Sequence, residues 1–479
     1  MSKGQTSHVP STEPGRHERA ALAVVGGTVV TENALFAATI LVDESGRIAS
    51  IQEPGARVDA ESVIDASGLH VFPGGVDTHV HLNDPGLTAS EDFYSGTSGA
   101  AAGGMTTVLE MPQTQPLVDS LELVLDKRDI VAPKAVVDFG LYCALVPALA
   151  QDPTALRAIV EAGAVGFKGF VCNTPEMPHL NEQQLMRGMS HLAGLGVPLA
   201  VHCESQALID LNATRLPVGD LERSVYEAAE VRRGAETAAV RMVLDLAKAT
   251  GATIHLVHMS DPRSVEQISA AKRAGVKVFA ETCPHYLILA DEDLHTVSEW
   301  GVCNPPLTSQ SAIEELWQLL EHGELDNVAS DHCAYTYEEK KPGNPWDVAP
   351  GINTIQLMFP LMVASARERG LPLSLVARLL SSNPARQFGL YPRKGAIVPG
   401  ADADLVVIDT QGSIQVDAQQ LFTRCPGTAY DGRRIDARVR RTIVRGQVVY
   451  ADDGEPRILA QPGYGELVTP QTAAMAAPR

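Results

Sequence analysis

No stretch of the sequence stays apolar over the ~20 residues that a membrane-spanning helix needs. Residues 1–20 also lack an apolar core, so we expect a mobile tail there rather than a secretory signal. Basic residues are in the minority, with 38 Lys and Arg against 58 Asp and Glu. The resulting formal charge of −20 argues against nucleic acid and against an anionic membrane surface as the main partner.

Cysteine is scarce too, with seven in 479 residues and no C-x-x-C pair. An odd number of scattered cysteines favours reduced thiols in a cytoplasmic enzyme over a disulfide framework. Glycine-rich phosphate loops are absent, since neither G-x-G-x-x-G nor G-x-x-x-x-G-K occurs. Their absence disfavours an open doubly wound sheet, which usually carries such a loop after an early strand.

Eight strand-like runs alternate with helix-like stretches through the middle of the chain. They are VDTHVH (76–81), TTVLEM (106–111), VVDFGLY (136–142), AVGFKGF (164–170), PLAVHC (198–203), TIHLVHM (253–259), KVFAET (277–282) and LDNVASD (325–331). Stretches between them, such as PTALRAIVEAG and SAIEELWQLLEHG, have helical periodicity and end in a glycine suited to a helix C-terminus. Eight such units within roughly 250–300 residues predict an α/β fold of the (β/α)8, or TIM-like, barrel class.

Both ends of the chain carry short alternating runs broken by turn residues. Residues 21–51 are typical of a β-meander, and similar runs return at 403–409 and 440–454. We therefore predict a small β-sandwich domain built from both termini. The predicted parts are a mobile tail (1–20), the small domain (21–72 and 390–465), the barrel (73–389) and a C-terminal tail (466–479).

The first barrel strand carries two histidines, His79 and His81, in the sequence VDTHVH. A strand places residues two apart on one face, and NDPG follows at once, so the pair lies where the strand becomes a loop. Neutral histidine is the commonest nitrogen ligand of zinc-like ions, and the pair therefore indicates a metal site. A pair of surface histidines is the simpler alternative.

Four further strands end in residues that can bind or carry a metal. In a barrel, catalytic groups lie at the carboxyl ends of the strands, where the loops converge. The residues at these ends are Lys168 on strand four, His202 on strand five, His258 on strand six and Asp331 on strand eight. With the first two histidines they make six candidate ligands from five strands, and that convergence favours a metal site.

Each candidate also has a structural alternative. His202 fits a hydrogen-bonded core histidine, and Asp331 fits a helix cap. His258 competes with His255 of the same strand, which we expect on the opposite face. His285 and His332 follow strands seven and eight, and structural and functional roles stay open for both.

Lys168 is unusual in a buried strand, because an unpaired ammonium in a low dielectric is costly. Two explanations remain open. The side chain can reach out and pair with a carboxylate, or it can react with CO2 to form a carbamate. A carbamate is anionic and could bridge two cations.

Taken together, these motifs resemble one branch of the amidohydrolase superfamily. The motifs are HVH after PGGVD, GFK, VHCE, HLVHMS, TCPHYL, CNPPL and ASDH, and the resemblance extends from about residue 21 to residue 465. The branch acts on cyclic amides and contains allantoinases, hydantoinases, dihydropyrimidinases and dihydroorotases.

The resemblance implies a barrel with two divalent metal ions, usually zinc. His79, His81 and Asp331 would hold one ion, His202 and His258 the other, and a carbamylated Lys168 would bridge them. The implied reaction is attack of a metal-bridging hydroxide on a ring amide, with Asp331 passing a proton to the leaving nitrogen. No Ser or Cys nucleophile is needed, and relatives are commonly dimers or tetramers.

Substrate motifs within the branch favour allantoinases. Dihydroorotases have an Arg two residues after the histidine pair and an Asn in MPNT, whereas this chain has Asn83 and Gln113, so that activity is disfavoured. GFKGFVCNTP lacks the Tyr typical of dihydropyrimidinases and D-hydantoinases, and PGINTIQ leans toward allantoinases, although DHCAY is closer to hydantoinases. The hydantoinase and dihydropyrimidinase type is therefore the alternative. We predict substrate contacts at four positions: Asn83, Asn304, Gly351 and Asn353.

A different class of function is represented by relatives that keep the fold, lose the ligands and act in assembly. This chain keeps all six candidate ligands, which favours an enzyme.

Overall fold

The structure is a computed structural model that describes residues 19–216, 224–341 and 343–471. The predicted N-terminal tail lies outside the described residues up to position 18, and so do residues 472–479 of the predicted C-terminal tail. Across the described ranges, no helix combines the length and apolar character needed to cross a membrane.

The strands and α-helices alternate through the middle of the chain. The strands are β1 (Ala20–Val25), β2 (Thr28–Val30), β3 (Leu35–Ala37), β4 (Thr39–Val42), β5 (Ile48–Gln52), β6 (Ala60–Asp65), β7 (His70–Pro73), β8 (Gly75–His81), β9 (Met105–Glu110), β10 (Asp138–Ala144), β11 (Gly166–Phe170), β12 (Leu199–His202), β13 (Ile254–Leu256), β14 (Val278–Thr282), β15 (Asn327–Val328), β16 (His332–Cys333), β17 (Leu405–Asp409), β18 (Ile414–Gln415), β19 (Arg434–Ile435), β20 (Arg438–Val444), β21 (Gln447–Asp452) and β22 (Pro456–Ile458). The α-helices are α1 (Phe93–Ala102), α2 (Leu121–Val131), α3 (Pro153–Glu161), α4 (Glu182–Leu192), α5 (Gln206–Arg215), α6 (Val225–Ala229), α7 (Ala235–Thr250), α8 (Pro262–Arg273), α9 (Pro284–Ile288), α10 (Leu294–Val297), α11 (Gln310–Glu321), α12 (Tyr337–Lys340), α13 (Met358–Glu368), α14 (Leu373–Ala377) and α15 (Asn383–Gln387).

The central sheet is parallel and closes on itself. Its order is β15-β14-β13-β12-β11-β10-β9-β8-β16. β15 pairs with β14 and β16 pairs with β8, so these two short pieces are halves of one strand that joins the seventh barrel strand to the first. The sheet is the predicted TIM-like barrel, and its eighth strand is interrupted at residues 329–331.

Helix α11 illustrates how the outer layer forms. Its buried residues are Ile313, Leu316, Trp317 and Leu320, whose spacing of three and four makes one apolar stripe along the helix. The Ser309 hydroxyl accepts a hydrogen bond from the Ala312 N–H and caps the first turn. Gly323, at a φ of +78°, lets the chain leave the helix toward β15.

Strands from both ends of the chain build the sheets beside the barrel. One sheet has the order β5-β4-β1-β6, and the other has the order β22-β21-β20-β17-β7-β2-β3. β7 and β17 are antiparallel neighbours although about 330 residues separate them, as the pairing of Phe72 with Val406 shows. The extra sheet domain from both termini is thus present, while its predicted residue boundaries stay a prediction.

A buried charge cluster joins the barrel to these sheets. Lys394 Nζ donates to Asp404 at 2.8 Å and to Asp138, which begins barrel strand β10, and it lies 3.0 Å from Asp402. The guanidinium of Arg445, which follows β20, also donates to Asp138. The last described segment lies along β10, because the Phe139 N–H donates to the carbonyl of Glu466.

Candidate metal centre

The six candidate ligands lie together at the carboxyl end of the barrel. Asp331 Oδ1 is 3.2 Å from His79 Nε2 and 3.5 Å from His81 Nε2. Lys168 Nζ lies 3.3 Å from the same Nε2 of His79. His202 Nδ1 is 2.9 Å from His258 Nε2, and the rings of His258 and His79 are 5.5 Å apart between centroids. Residues up to 252 positions apart in the chain (79 to 331) thus lie in one cluster, as expected for side chains at the carboxyl ends of barrel strands.

Two of these residues adopt left-handed backbone conformations. His258 has a φ of +46° and Asp331 a φ of +44°, a region that non-glycine residues enter at a cost. The strand that carries His258 ends at Leu256, so the two-residue alternation of side chains does not extend to position 258. The expectation that His255 and His258 occupy opposite faces is therefore wrong. Both point into the barrel, with His255 3.2 Å from Glu281 and His258 beside His202.

Buried carboxylates hold the outer nitrogens of two of the histidines. Glu281 Oε1 lies 3.1 Å from His79 Nδ1, and Glu204 Oε2 lies 2.7 Å from His202 Nε2. A carboxylate accepts a hydrogen, so we assign a proton to the outer nitrogen of each ring. The neutral His79 then presents the lone pair of Nε2 toward the centre, as metal-binding histidines do. Burial would lower the pKa of His202, but Cys172 and Glu204 raise it to about 9, so a cation at its Nδ1 would have to displace a proton.

Glu281 was not among the sequence candidates. It is completely buried on β14, and it accepts hydrogen bonds from the Thr78 hydroxyl and from Asn327 Nδ2, the latter at 3.1 Å. Burial alone would raise the pKa of Glu281, but His255 and His79 hold it well below its usual range. An acidic residue directly after the apolar residues VFA of the run KVFAET was the available signal, because a charge in a buried strand needs a partner.

Burial also sets the protonation of the candidate ligands. It lowers the pKa of His79 to about 4, so this imidazole is neutral at pH 7. It lowers the pKa of Lys168 to about 8, although Asp331 and Glu281 act in the opposite direction. For Asp331 burial would raise the pKa, yet the neighbouring His79 and His81 hold it well below its usual range and keep the carboxylate ionised.

This donor set fits divalent cations. His79, His81 and Asp331 each offer a ligand atom within 4.8 Å of the others, and His202 Nδ1 lies 2.9 Å from His258 Nε2. Buried carboxylates hold the outer nitrogens of His79 and His202. Nitrogen and oxygen ligands of this kind are those of zinc and related ions. Among the described residues, another buried acidic group, Asp138 with Asp402 and Asp404, surrounds the ammonium of Lys394 and also pairs with Arg445 and Arg393, so cationic side chains already occupy it.

His285 lies at the same mouth without a polar partner. Its side chain is 1% exposed, and neither ring nitrogen has a hydrogen-bond partner among the described residues. One of its nitrogens lies within 4.8 Å of a carboxylate oxygen of Asp331. Burial lowers the pKa of His285 to about 4, so the ring is neutral and able to donate one hydrogen bond into the mouth.

His332, in contrast, is engaged on both sides. Its Nδ1 accepts from the Thr354 N–H at 3.4 Å, and its Nε2 lies 3.3 Å from the buried carboxylate of Glu91. Glu91 also accepts from the backbone N–H of Arg424 at 3.0 Å. His332 therefore ties the residue after Asp331 to neighbouring loops.

The four positions predicted to contact substrate lie in loops that follow the barrel strands. Asn83, half-buried with a φ of +59°, donates to the Ala334 carbonyl at 3.4 Å. Asn304 is half-buried, and the Gly351 N–H donates to the Val302 carbonyl at 2.8 Å, two residues before Asn304. Asn353 directs its Nδ2 to Thr423 at 2.8 Å rather than to the ligand cluster, and only its Oδ1 has no partner among the described residues.

Family models identify the class to which this fold and site belong. The model described as the amidohydrolase family matches residues 70–449, which include the whole barrel and much of the second part of the sheet domain. The chain belongs to the amidohydrolase family.

Two relatives named allantoinase and one solved structure are similar to this chain along most of its length. The chain is 36% identical over 435 residues to an allantoinase of Bacillus velezensis, covering 90% of this chain and 94% of that protein. It is also 36% identical over 456 residues to an allantoinase of Rubrobacter xylanophilus, covering 94% and 98%. Among solved structures, an L-hydantoinase (dihydropyrimidinase) from Arthrobacter aurescens superposes with a TM-score of 0.89 at 31% identity, covering 94% of this chain and 100% of that one.

Proposed function

We propose that this protein is a metal-dependent cyclic amidohydrolase that opens the ring of allantoin to give allantoate. The observation that carries the proposal is the cluster of four imidazoles, one lysine and one carboxylate at the barrel mouth, in a chain that is similar along 90% of its length to proteins named allantoinase. Hydrolysis of a hydantoin ring is the alternative, favoured by the L-hydantoinase superposition.

Two divalent cations, which we propose to be zinc, fit the donor set. His79, His81 and Asp331 would hold one, and His202 and His258 would hold the other. Bound there, such ions acidify a water molecule and polarise an amide carbonyl. Glu281 and Glu204 would keep the histidine rings in the tautomers that binding requires.

Lys168 is suited to carbamylation. Because its pKa is lowered to about 8, part of the amine is uncharged near neutral pH. The uncharged nitrogen can form a bond to the carbon of CO2, releasing one proton and leaving an anionic carbamate. That product would remove the cost of a buried ammonium and supply the negative charge that a pair of cations needs between them.

Asp331 is suited to moving the proton. Its carboxylate is ionised and contacts both His79 and His81. We assign to it the proton released by the attacking water and its transfer to the ring nitrogen that leaves. The water oxygen bonds to the ring carbonyl carbon, the C–N bond breaks, and the nitrogen takes the proton. The buried His285, which has no hydrogen-bond partner among the described residues, would donate to a substrate oxygen beside this path.

The test of the substrate is a hydrolysis panel on the zinc-loaded protein, with allantoin, 5-substituted hydantoins, dihydrouracil and dihydroorotate run side by side. We expect allantoin to have the highest kcat/KM. Faster turnover of the hydantoins would establish the alternative. No hydrolysis of any of the four, with no metal bound after reconstitution, would instead point to an assembly protein.

The same preparation tests the metal centre. We expect about two equivalents of zinc per chain, as the ligand set implies, and a Lys168→Ala variant should lose activity and much of the bound metal. Full activity in that variant would contradict the carbamate. A homo-oligomer and a cytoplasmic location, the latter in keeping with seven free cysteines, remain parts of this proposal.

A further inference from the structure

Lys340, the last residue of helix α12, is a buried lysine outside the metal centre. Its side chain is among the largest fully buried ones, and its residue is 2% exposed. Burying an ammonium is expensive unless all of its donors are satisfied. A Met or Leu of similar volume would fill the same space without that cost, so the charge must serve something that an apolar side chain cannot.

The ammonium binds backbone rather than carboxylates. Lys340 Nζ donates to the carbonyls of Ala349 at 2.8 Å, Glu299 at 3.2 Å and Val302 at 3.3 Å. These three bonds use all three hydrogens of the ammonium. The carboxylate of Glu299 instead lies 3.4 Å from the neighbouring Lys341.

These three carbonyls belong to two separate loops. Glu299 and Val302 belong to the loop after barrel strand seven, and Ala349 belongs to the loop after strand eight. A direct bond between the loops runs from the Gly351 N–H to the Val302 carbonyl, at 2.8 Å. The ammonium therefore cross-links the same two loops that this backbone bond joins.

The position of the cross-link explains its importance. Val302 is two residues before Asn304, and Ala349 is two residues before Gly351, so two of the three carbonyls bound by Lys340 lie close to a position predicted to contact substrate. Gly351 is itself packed tightly, since a Cβ there would lie 2.4 Å from Cys333 Cβ. The Tyr335 hydroxyl donates to the Pro350 carbonyl at 3.0 Å, and the centroid of the Tyr335 ring is 5.5 Å from Lys340 Nζ.

We propose that Lys340 is a positioning residue that fixes the substrate-binding loops after strands seven and eight relative to each other. The inference rests on the proposed function, because the loops matter only if substrate binds between them. Lys340 itself touches neither the candidate ligands nor, on this proposal, the substrate.

The test compares Lys340→Met with Lys341→Met. Lys341 is a matched control because it is the next residue and its side chain also lies near Glu299, but it is exposed, so we expect little effect from removing its charge. KM and kcat are measured on whichever ring substrate the wild type hydrolyses, and zinc is quantified in each sample. We expect Lys340→Met to raise KM about tenfold or more, with kcat within about threefold and zinc content unchanged, because misplaced loops weaken binding before they alter the chemistry. Lys341→Met should match the wild type.

Two kinetic outcomes would overturn the proposal. One is an unchanged KM in a folded Lys340→Met protein, and the other is a parallel loss of zinc and kcat, which would mean a general structural role. If Lys340→Met does not fold, Lys340→Arg is tested in its place. A KM like that of the wild type, together with unchanged amide hydrogen exchange in the two loops, then supports a positional role for the charge. Loss of zinc from Lys340→Arg opposes that role.

Hydrogen exchange separates this proposal from the proposed function. Faster amide exchange confined to residues 299–304 and 349–353 in Lys340→Met supports the cross-link even if no tested ring compound is hydrolysed. Unchanged exchange in both segments overturns the cross-link even if allantoin is hydrolysed.

Discussion

At the scale of single residues, Glu281 orients the side chains of the candidate metal centre. One buried carboxylate faces His79 and His255 and accepts hydrogens from Thr78 and Asn327. Only an ionised carboxylate offers enough lone pairs for all of these groups. The orientation of His79 therefore depends on a residue that is not itself a candidate ligand.

Glu281→Gln tests this dependence. The amide keeps the shape but replaces one acceptor oxygen by a donor, so the hydrogen of His79 or of Thr78 loses its acceptor. We expect zinc affinity to fall about 10- to 100-fold, measured by competition with a chelator of known affinity. Glu161→Gln, at the exposed end of α3, is the control and should bind zinc like the wild type. Equal affinities in the two variants would contradict this role of Glu281.

How far the sequence predicts the site is visible at these residues. The sequence identifies the six candidate ligands, which are the histidine pair in HVH and a lysine, two histidines and an aspartate at other strand ends. They are recognisable because a barrel brings its strand ends together whatever their separation in the chain. The same reasoning does not predict the roles of Glu281 and Glu204. Which carboxylate faces which ring nitrogen depends on the relative positions of neighbouring strands, and one sequence does not specify these positions.

At the scale of elements, the loops of the sheet domain reach the mouth of the barrel. Residues 421–431 lie between β18 and β19, and Thr423 and the Cys425 carbonyl accept hydrogen bonds from Asn353 Nδ2. In the same segment, Gly427 lies against Trp300, which belongs to the loop that carries Asn304. Sequence patterning predicted the strand runs at 403–409 and 440–454 but not β18, β19 or this contact, which joins a loop to a loop without any periodic signal.

Gly427→Ala probes that contact. A Cβ at this position would lie 1.9 Å from the Trp300 ring, so the indole must move. Overpacking of this kind typically costs about 1–3 kcal/mol, and we expect a lower thermal midpoint and altered tryptophan fluorescence. Gly194→Ala is the control, since nothing lies within 4 Å of a Cβ there and its stability should change by less than about 0.5 kcal/mol. Identical melting curves for the two variants would show that Trp300 yields without cost.

The strands themselves show where local pattern is sufficient and where it is not. All eight predicted runs contain strand, but TIHLVHM forms strand only at Ile254–Leu256, and LDNVASD only at Asn327–Val328. In both runs the chain leaves extended geometry just before a candidate ligand, at His258 and Asp331. The sequence pattern does not change before His258 or Asp331, so it does not indicate where the backbone leaves the strand conformation.

At the scale of the whole molecule, buried charges join the barrel to the sheets. Lys394 is completely buried with Asp138, Asp402 and Asp404, and these residues come from the barrel and from the segment leading into β17. Burial and the nearby Asp402 raise the pKa of Asp404, and Lys394 opposes that shift. The buried charge cluster is therefore centred on one ammonium, and of its carboxylates Asp404 depends on it most.

Lys394→Met should destabilise the protein strongly. Asp138 keeps Arg445 and Asp402 keeps Arg393, but Asp404 loses its only cationic side-chain partner within the described residues. Removing one partner of a buried ion pair costs about 3–5 kcal/mol, which a denaturant titration or a thermal scan at fixed rate would measure. Arg434→Met removes an exposed pair with Asp436 and should change stability by less than about 1 kcal/mol. A similar loss in both variants would contradict the importance of the buried cluster.

The interrupted eighth strand has a consequence for how the molecule acquires activity. One half pairs with the seventh strand, the other half pairs with the first, and Asp331 lies in the gap between them. Closing the barrel therefore also sets Asp331 beside His79 and His81. We expect enzymatic activity to return after unfolding no earlier than this closure.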